Sequence, residues 1–431
     1  MACGFIAMQN AGVEIDSYDA FEIDKYAIKT ATHNFPMIKE HGDVFTADFT
    51  QFEGVDWLIG GSPCQCWTVC QKKNRETTAS GVGWELFQQY VRALREAKPR
   101  YFIYENNKSM SNAIRDSIRE AFGFEEVCIN SALVSAQNRQ RYYWVGMRND
   151  DGTYSRVNID RPVDRGVLLR DVLENRSDIR HEPVCVASRG RRVDGDSTWR
   201  QQFEVRGYKT NALTTVQKDN MVTEPVLTTD GKARTIKAQY FKTAIANLVD
   251  PHHYPVSGAA ELVKSPPPAK PCRVGTYPNK AKNKEFDSQQ YRVYLPEGKS
   301  VTLCGNGGGV GAKTGLYCFP TDGCYATACE WDNSGKPTKA RSCADGKIYR
   351  VYEVANGLIT VLDRQYPLAV ADGYWIIRKL TVRECARLQT VPEWYEFPVS
   401  DSQAYKLLGN GWTCDVITHL IRSAHAKEQN E

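Results

Sequence analysis

The chain has 431 residues, 14 cysteines and a formal net charge of +4, long enough for two domains around a sizeable core. No apolar run reaches the roughly 18–20 residues of a membrane helix, and the opening Met-Ala-Cys-Gly-Phe-Ile-Ala-Met-Gln lacks the basic n-region of a secretory signal, so a cytoplasmic protein is expected. The charge is too small to imply nucleic acid by itself, and the cysteines suit neither a disulfide scaffold nor zinc, since Cys64, Cys66 and Cys70 have no second ligand pair and Cys318, Cys324 and Cys329 are irregularly spaced.

In chain order, the first 150 residues alternate strand and helix. A strand is expected over 17–23, with Glu22 at its end, followed by a helix over 25–33 and a buried strand over 56–60. Residues 84–98 have helical spacing, with Trp84, Phe87, Val91 and Leu94 on one face. Residues 101–104 form a short apolar strand that stops at Glu105-Asn106-Asn107, and 141–145 a later strand after Gln137-Asn138-Arg139-Gln140. This rhythm predicts a mostly parallel sheet with helices on both faces, an α/β fold.

From about 165 to 375 helical periodicity fades and short β-rich runs sit between Gly, Asn, Lys and Thr clusters. Seven basic residues (Arg189, Arg191, Arg192, Arg200, Arg206, Lys209 and Lys218) face three acidic ones between 189 and 218. That is a modest pointer to phosphates, which a solvated loop explains equally well. Lys264-Ser-Pro-Pro-Pro-Ala-Lys-Pro271 reads as a stiff linker. A weak repeat relates 201–215 to 289–303 and, more faintly, to 347–361; each copy reads as a hairpin. Gly305-Asn-Gly-Gly-Gly-Val-Gly311 could approach a phosphate backbone or be a plain surface loop. Beyond 380 the pattern turns helical again, as if the chain re-enters the first domain. The expected organisation is therefore 1–165, 166–378 and 379–431.

Four separated motifs carry the chemistry. In residues 55–65 an apolar run ends in Gly60-Gly61-Ser62-Pro63-Cys64-Gln65, which places a thiol at the carboxyl edge of a sheet behind a proline that fixes one torsion. Cys64 is a candidate nucleophile there, or a buried apolar cysteine. The others are Tyr104-Glu105-Asn106, Gln137-x-Arg139-x-Arg141, and Arg383-Glu384-Cys-Ala-Arg-Leu-Gln389 followed by Gly409-Asn410-Gly411. Singly, Glu105 could be a surface carboxylate, Arg139 and Arg141 could pair with acids such as Asp150, and Arg383–Glu384 could be a local helix ion pair.

Together, in this order and spacing, these motifs resemble the DNA (cytosine-5) methyltransferase family of the bacterial or phage kind. The resemblance covers 1–150 and 380–431 by motif and the middle by its place as a variable target-recognition region. It implies a Rossmann-like methyltransferase sheet plus a smaller β-rich target-recognition domain. It also implies transfer of a methyl group from S-adenosylmethionine to C5 of a flipped-out cytosine in duplex DNA. Cys64 would add to C6 and make C5 nucleophilic. Glu105 would supply the proton at N3, a role that asks for a carboxyl able to hold a proton in a dry pocket. Arg139 and Arg141 would give fixed cationic hydrogen bonds to the base and thiolate region.

The same resemblance puts the donor against Cys3-Gly4, with Glu22 on the ribose hydroxyls, 18 residues after Gly4, and Ile23 beside it. Asp43 would meet the adenine amino group, with Val44, Gly61, Pro63 and Asn410 completing the donor site. Gln65, Thr68, Gln137, Arg189, Arg191, Arg192 and Lys209 would meet DNA. No metal is implied. A monomer is expected, with a cognate restriction endonuclease as a further partner.

Four departures from the family pattern stand out. The family's apolar first strand and Phe-x-Gly turn precede the equivalent of Cys3-Gly4, whereas this chain starts at Met1. A truncated first strand, with weakened donor affinity, or its replacement by the C-terminal region is expected. Ser62 stands where Pro is common, Cys66-Trp67-Thr68 where Gly-Phe-Ser is usual, and Asn107 where Val is usual. A silent DNA-binding homologue and a transfer RNA cytosine methyltransferase are the competing readings.

Overall fold

The computed structural model describes residues 1–63, 66–67, 75–174, 184–192, 199–205, 209–210, 221–223, 273–276, 292–294, 298–300, 316–321, 325–361, 364–368 and 370–428. The chain opens in helix α1 (Cys3–Ala11). Strands β1 (Asp19–Ala20) and β2 (Lys39–Glu40) form a separate parallel pair. Between them runs α2 (Lys25–Asn34), whose first turn is capped by Asp24 accepting from the Tyr26 N–H at 2.9 Å.

The main sheet holds β3 (Trp57–Gly60), β4 (Tyr101–Asn107), β5 (Val127–Asn130), β6 (Gln140–Arg148) and β7 (Tyr154–Arg156). Helix α3 (Val82–Ala97) connects β3 to β4, and α4 (Asn112–Phe122), capped by Ser111, leads on to β5. Strand order is β3-β4-β6-β5, with β7 on β6. β3 and β4 pair in parallel, and β6 pairs antiparallel with β4, β5 and β7. Four of the five strands therefore share one direction, the mostly parallel sense expected from the sequence, and β6 alone is reversed. The cause is local: β5 returns to β6 through a short turn over 131–139, and β6 to β7 through another over 149–153, neither long enough for a parallel crossover.

Strand β4 is longer than its apolar run and is buried throughout. Its period of two sorts its side chains onto two faces. Phe102 and Tyr104 pack under α3 and α4 with Phe87, Val91, Ile114, Ile118 and Trp144. Tyr101 and Ile103 pack with Ala7 and Met8 of α1 and with Ile417, Leu420 and Ile421. The latter three lie on the last helix. The C-terminal segment thus does re-enter this domain, through α5 (Val382–Leu388), α6 (Asp401–Asn410) and α7 (Cys414–Glu428). It closes the face that α1 leaves open.

The middle region contributes a second, larger sheet. Its path runs from Met221–Thr223 through Val184–Arg192, Trp199–Val205, Arg273–Thr276, Arg292–Tyr294, Leu316–Pro320, Gly373–Arg378, Ile348–Ala355 and Pro337–Ser342 to Ala326–Trp331. Ile348–Ala355 turns at Asn356-Gly357, both at positive φ, and pairs antiparallel with Leu358–Val361. Lys209–Thr210 pairs instead, in parallel, with Gly298–Lys299. One apolar core unites Tyr317, Phe319, Trp375 and Ile376 of this sheet with Cys385 and Leu388 of α5 and with Phe5 and Phe35.

Candidate active site

Strand β3 ends at Gly60, and the next three residues cross the top of β4. A Cβ on Gly61 would lie 2.5 Å from the Glu105 carbonyl oxygen and 3.3 Å from its Oε2. No side chain fits there, so the second glycine is what lets this turn lie directly on β4. Ser62 then anchors the turn. Its Oγ is 2.6 Å from the Tyr104 hydroxyl, and its carbonyl accepts from Asn106 Nδ2 at 3.1 Å. Burial keeps the Tyr104 phenol well above its ordinary pKa range. Pro63 is exposed. Cys64, Gln65 and Thr68 lie outside the described residues. Trp67 is fully buried and donates from Nε1 to Glu76 at 2.9 Å.

Glu105 follows Tyr101 and Ile103 on the α1/α7 face, because residues two apart share a face. It is 8% exposed. Arg141 lies on β6 opposite Asn107, while Tyr143 is opposite Glu105, so Arg141 is a diagonal neighbour of the carboxylate. Its Nε is 3.0 Å from Glu105 Oε1. The other oxygen, Oε2, accepts from Trp412 Nε1 at 2.9 Å. Arg139, two residues earlier, serves a different partner. It is 4% exposed, and its Nη2 donates to the carbonyls of Gly411 at 2.9 Å and Gly409 at 3.3 Å, tying β6 to the α6–α7 turn. Gln137 is fully buried where the two sheets meet, in a parallel bridge with Ser300.

On the other side of the same turn, Cys3 and Gly4 open α1 and are buried. A Cβ on Gly4 would meet the Tyr18 hydroxyl at 2.6 Å and Trp412 Cζ3 at 3.8 Å. The Cys3 thiol hydrogen-bonds Cys414, which with the terminal ammonium and Arg139 pulls its pKa down against burial, while that of Cys414 goes up. Glu22 follows β1 and accepts the Ile23 and Asp24 N–H groups on Oε1, both at 2.9 Å; Ile23 is 75% exposed. Asp43 is exposed and accepts from the Phe45 N–H at 3.0 Å. The Val44 carbonyl accepts from Arg92 at 2.6 Å. Asn410 ends α6, exposed, next to the carbonyls that hold Arg139.

Of the residues singled out in the middle region, Arg189, Arg191 and Arg192 lie on Val184–Arg192, paired with Trp199–Val205. Lys209 pairs in parallel with Gly298. The Arg383–Glu384 pair considered from the sequence does not form. Glu384 binds Arg378 in the core through two contacts of 2.8 Å, and Arg383 reaches instead toward Glu393. Two participants escaped the sequence reading: Trp412, and Ser62 as an anchor. The only sequence signal for Trp412 is an aromatic immediately after Gly409-Asn410-Gly411.

The C-5 cytosine-specific DNA methylase family model matches residues 2–255 and 339–426. Orphan methyltransferase M.Rho11sI of Bacillus phage rho11s is 38% identical over 156 residues, 33% of this chain and 30% of that protein. Orphan methyltransferase M.SPRI of Bacillus phage SPR is 36% identical over 156 residues, 33% of this chain and 35% of that protein. The type II methyltransferase M1.ScrFI of Lactococcus lactis subsp. cremoris is 30% identical over 177 residues, 38% and 43% of the two chains. Each match thus spans less than half of the relative. Among solved structures, the S. pombe Dnmt2 methyltransferase aligns over 100% of this chain and 96% of its own, at 14% identity and a TM-score of 0.45. With a family model covering the Gly61 turn, Glu105, Arg139, Arg141 and the α6–α7 turn in one match, the chain belongs to the C-5 cytosine-specific DNA methylase family.

Proposed function

We propose that this chain methylates C5 of cytosine in duplex DNA through a covalent Cys64 adduct, with S-adenosylmethionine as methyl donor. The observation that carries the reading is the buried Glu105–Arg141 pair, at 3.0 Å, directly beneath the Gly61-Ser62-Pro63 turn that leads into Cys64. A cytosine turned out of the helix would meet a thiol and a carboxyl from two adjacent strands.

Each residue has a definable task. The Cys64 thiolate adds to C6, and the electron pair displaced from the C5–C6 double bond enters the ring. Glu105 delivers a proton to N3, so that the charge does not accumulate and C5 becomes enamine-like. Arg141 holds the carboxyl in place. Arg139 acts at one remove, by fixing the turn that carries Trp412. Once C5 has taken the methyl group, with the S–CH3 bonding pair left on the donor sulfur, N3 returns its proton to Glu105, a base takes the C5 proton, the electron pair returns to the C5–C6 bond and the C6–S bond breaks, releasing the Cys64 thiolate.

The donor-side residues fit S-adenosylmethionine. Glu22 presents a carboxylate whose Oε1 accepts two backbone N–H groups and which would take the ribose hydroxyls. The exposed Ile23 offers an apolar face, Asp43 an exposed carboxylate for an amino group, and Gly4 and Asn410 border the same turn. When bound, the donor supplies an electrophilic methyl group. Residues 1–165 with 379–431 would form the catalytic domain and 166–378 the region that reads DNA through Arg189, Arg191, Arg192 and Lys209, with Gln65 and Thr68 joining them from the catalytic domain, while Gln137 is fully buried and is not proposed to touch DNA. The enzyme would act as a cytoplasmic monomer, with or without a cognate endonuclease; among the described residues no helix is long and apolar enough to cross a membrane.

The test is methyl transfer from labelled S-adenosylmethionine to mixed-sequence duplex DNA, with transfer RNA as competitor. Incorporation as 5-methylcytosine that vanishes in Cys64→Ser is expected. Incorporation that survives in Cys64→Ser, or that only RNA accepts, overturns the reading.

A further inference from the structure

We propose that Trp412 is the positioning residue for Glu105, setting the carboxyl for its work on the base; this rests on the reading of Glu105 given above. The carboxyl is gripped at both oxygens, Oε1 by Arg141 at 3.0 Å and Oε2 by Trp412 Nε1 at 2.9 Å. A carboxylate has about four lone-pair sites. Trp412 fills one site of Oε2 by a hydrogen bond and the Arg141 guanidinium faces Oε1 as an ion pair, so the carboxyl is held from both ends beside the Gly61 turn. Arg141 alone would leave the group able to swing about that single contact. The second donor removes this freedom, and positioning of a proton-transfer group to a few tenths of an ångström is what such chemistry needs.

The opposite assignment is that Glu105 merely satisfies a half-buried indole N–H, which normally finds a partner. Two features favour the positioning role. The turn that carries Trp412 is itself clamped by Arg139 through the Gly409 and Gly411 carbonyls, so the indole is the fixed partner. The ring also spans the site, its Cζ3 close to Gly4 and its Nε1 on Glu105. It therefore touches the residues assigned to donor and to base with opposite edges.

The experiment separates the two steps. With the full chain and duplex DNA tritiated at cytosine C5, exchange of the C5 hydrogen with water in the absence of donor reports adduct formation, N3 protonation and the proton exchange at C5 that follows, without methyl transfer. Trp412→Phe keeps the ring and removes the N–H. It should slow both exchange and single-turnover methylation by the same factor, about 10- to 100-fold for a lost hydrogen bond to a charged group, with the dissociation constants for S-adenosylhomocysteine and DNA within threefold of wild type. Trp412→His, which restores an N–H, should recover part of the exchange rate. In a Glu105→Gln background Trp412→Phe should add little, because the partner it positions is already altered.

Unchanged exchange with weakened donor binding would make Trp412 a donor-site wall and overturn the proposal. So would multiplicative losses in the double variant. A wild-type chain with neither exchange nor methylation would instead remove the parent reading, a distinct result.

Discussion

Glu384→Gln tests whether the junction between the second sheet and the C-terminal segment depends on one buried charge pair. Glu384 and Arg378 have no exposed side-chain surface. Both carboxylate oxygens are doubly used. Oε1 accepts Arg378 Nη2 at 2.8 Å and the Glu174 N–H at 3.0 Å, and Oε2 accepts Arg378 Nη1 and the Thr381 N–H, both at 2.8 Å. At an effective dielectric of about 20, a 2.8 Å pair is worth roughly 6 kcal/mol before desolvation. Desolvation takes back much of this, so the intact pair is nearly neutral against an apolar replacement. Removing one charge is different. An amide turns an NH2 toward the guanidinium and leaves Arg378 charged and uncompensated, at a cost of about 3–5 kcal/mol. With an m-value of about 3 kcal/mol/M in urea, the midpoint of the transition should fall by about 1–2 M, read by far-UV circular dichroism and tryptophan fluorescence in parallel. Arg378→Met combined with Glu384→Leu should recover most of the loss, since no charge is then left buried. A loss below about 1 kcal/mol for Glu384→Gln, or a double variant no better than the single, would refute the argument.

Gly61→Ala should slow methyl transfer about 100-fold while leaving the chain folded: its Cβ would be 2.5 Å from a backbone oxygen of β4, forcing the Gly61-Ser62-Pro63 segment off the strand by about 1 Å. Single-turnover rate alongside thermal melting checks it, and near-normal activity would contradict the close approach. Asp24 caps α2 and holds Lys406 of α6 at 2.6 Å. Burial opposes its ionisation, but Lys406 and the Tyr26 and Ala27 N–H groups outweigh this and hold the carboxyl below its usual range. Because the folded-state value is the lower one, the stabilisation is complete above the unfolded value of about 3.9 and is lost as pH falls through the folded value. Asp24→Ala should therefore cost about 1 kcal/mol near neutrality, and the difference from wild type should shrink below pH ~4 in urea titrations across that range.

Much of the first domain was legible because α2, α3 and α4 are amphipathic and α2 and α4 are capped. The 25–33 expectation became Lys25–Asn34, behind its Asp24 cap, and 84–98 became Val82–Ala97, with Phe87, Val91 and Leu94 inside. Strand β4 was read too short. Glu105-Asn106-Asn107 looked like a polar stop, yet the strand runs through them, since polar residues can stay in a buried strand when each finds a partner, as Glu105 does in Arg141 and Asn106 in Ser62. The sense of β6 was also hidden, because strand direction depends on connection lengths that periodicity does not report. Among the site residues, Glu105 and Arg141 were named by motif and lie 3.0 Å apart. Trp412 was invisible, since its contact with Glu105 spans 307 positions and no local pattern encodes it.

The geometry of β4 explains why a Gly-Gly turn and a Glu-Asn pair belong together in one site. A strand sends neighbouring side chains to opposite faces, so Tyr104 and Asn106 face one way and Glu105 the other. The first two bind Ser62 and fasten the turn from β3 that continues into Cys64. The third reaches Arg141 and Trp412 on the face closed by α1 and α7. One strand therefore fastens the Gly61-Ser62-Pro63 turn with its even residues and holds the carboxyl with its odd one. A one-residue slip of β4 against β3 would exchange the two faces, placing Glu105 under α3 and an amide where the acid belongs. The parallel register of Trp57 with Tyr101 through Gly60 with Tyr104, locked by Gly61 against the Glu105 carbonyl, is thus as much a part of the chemistry as the residues that carry it.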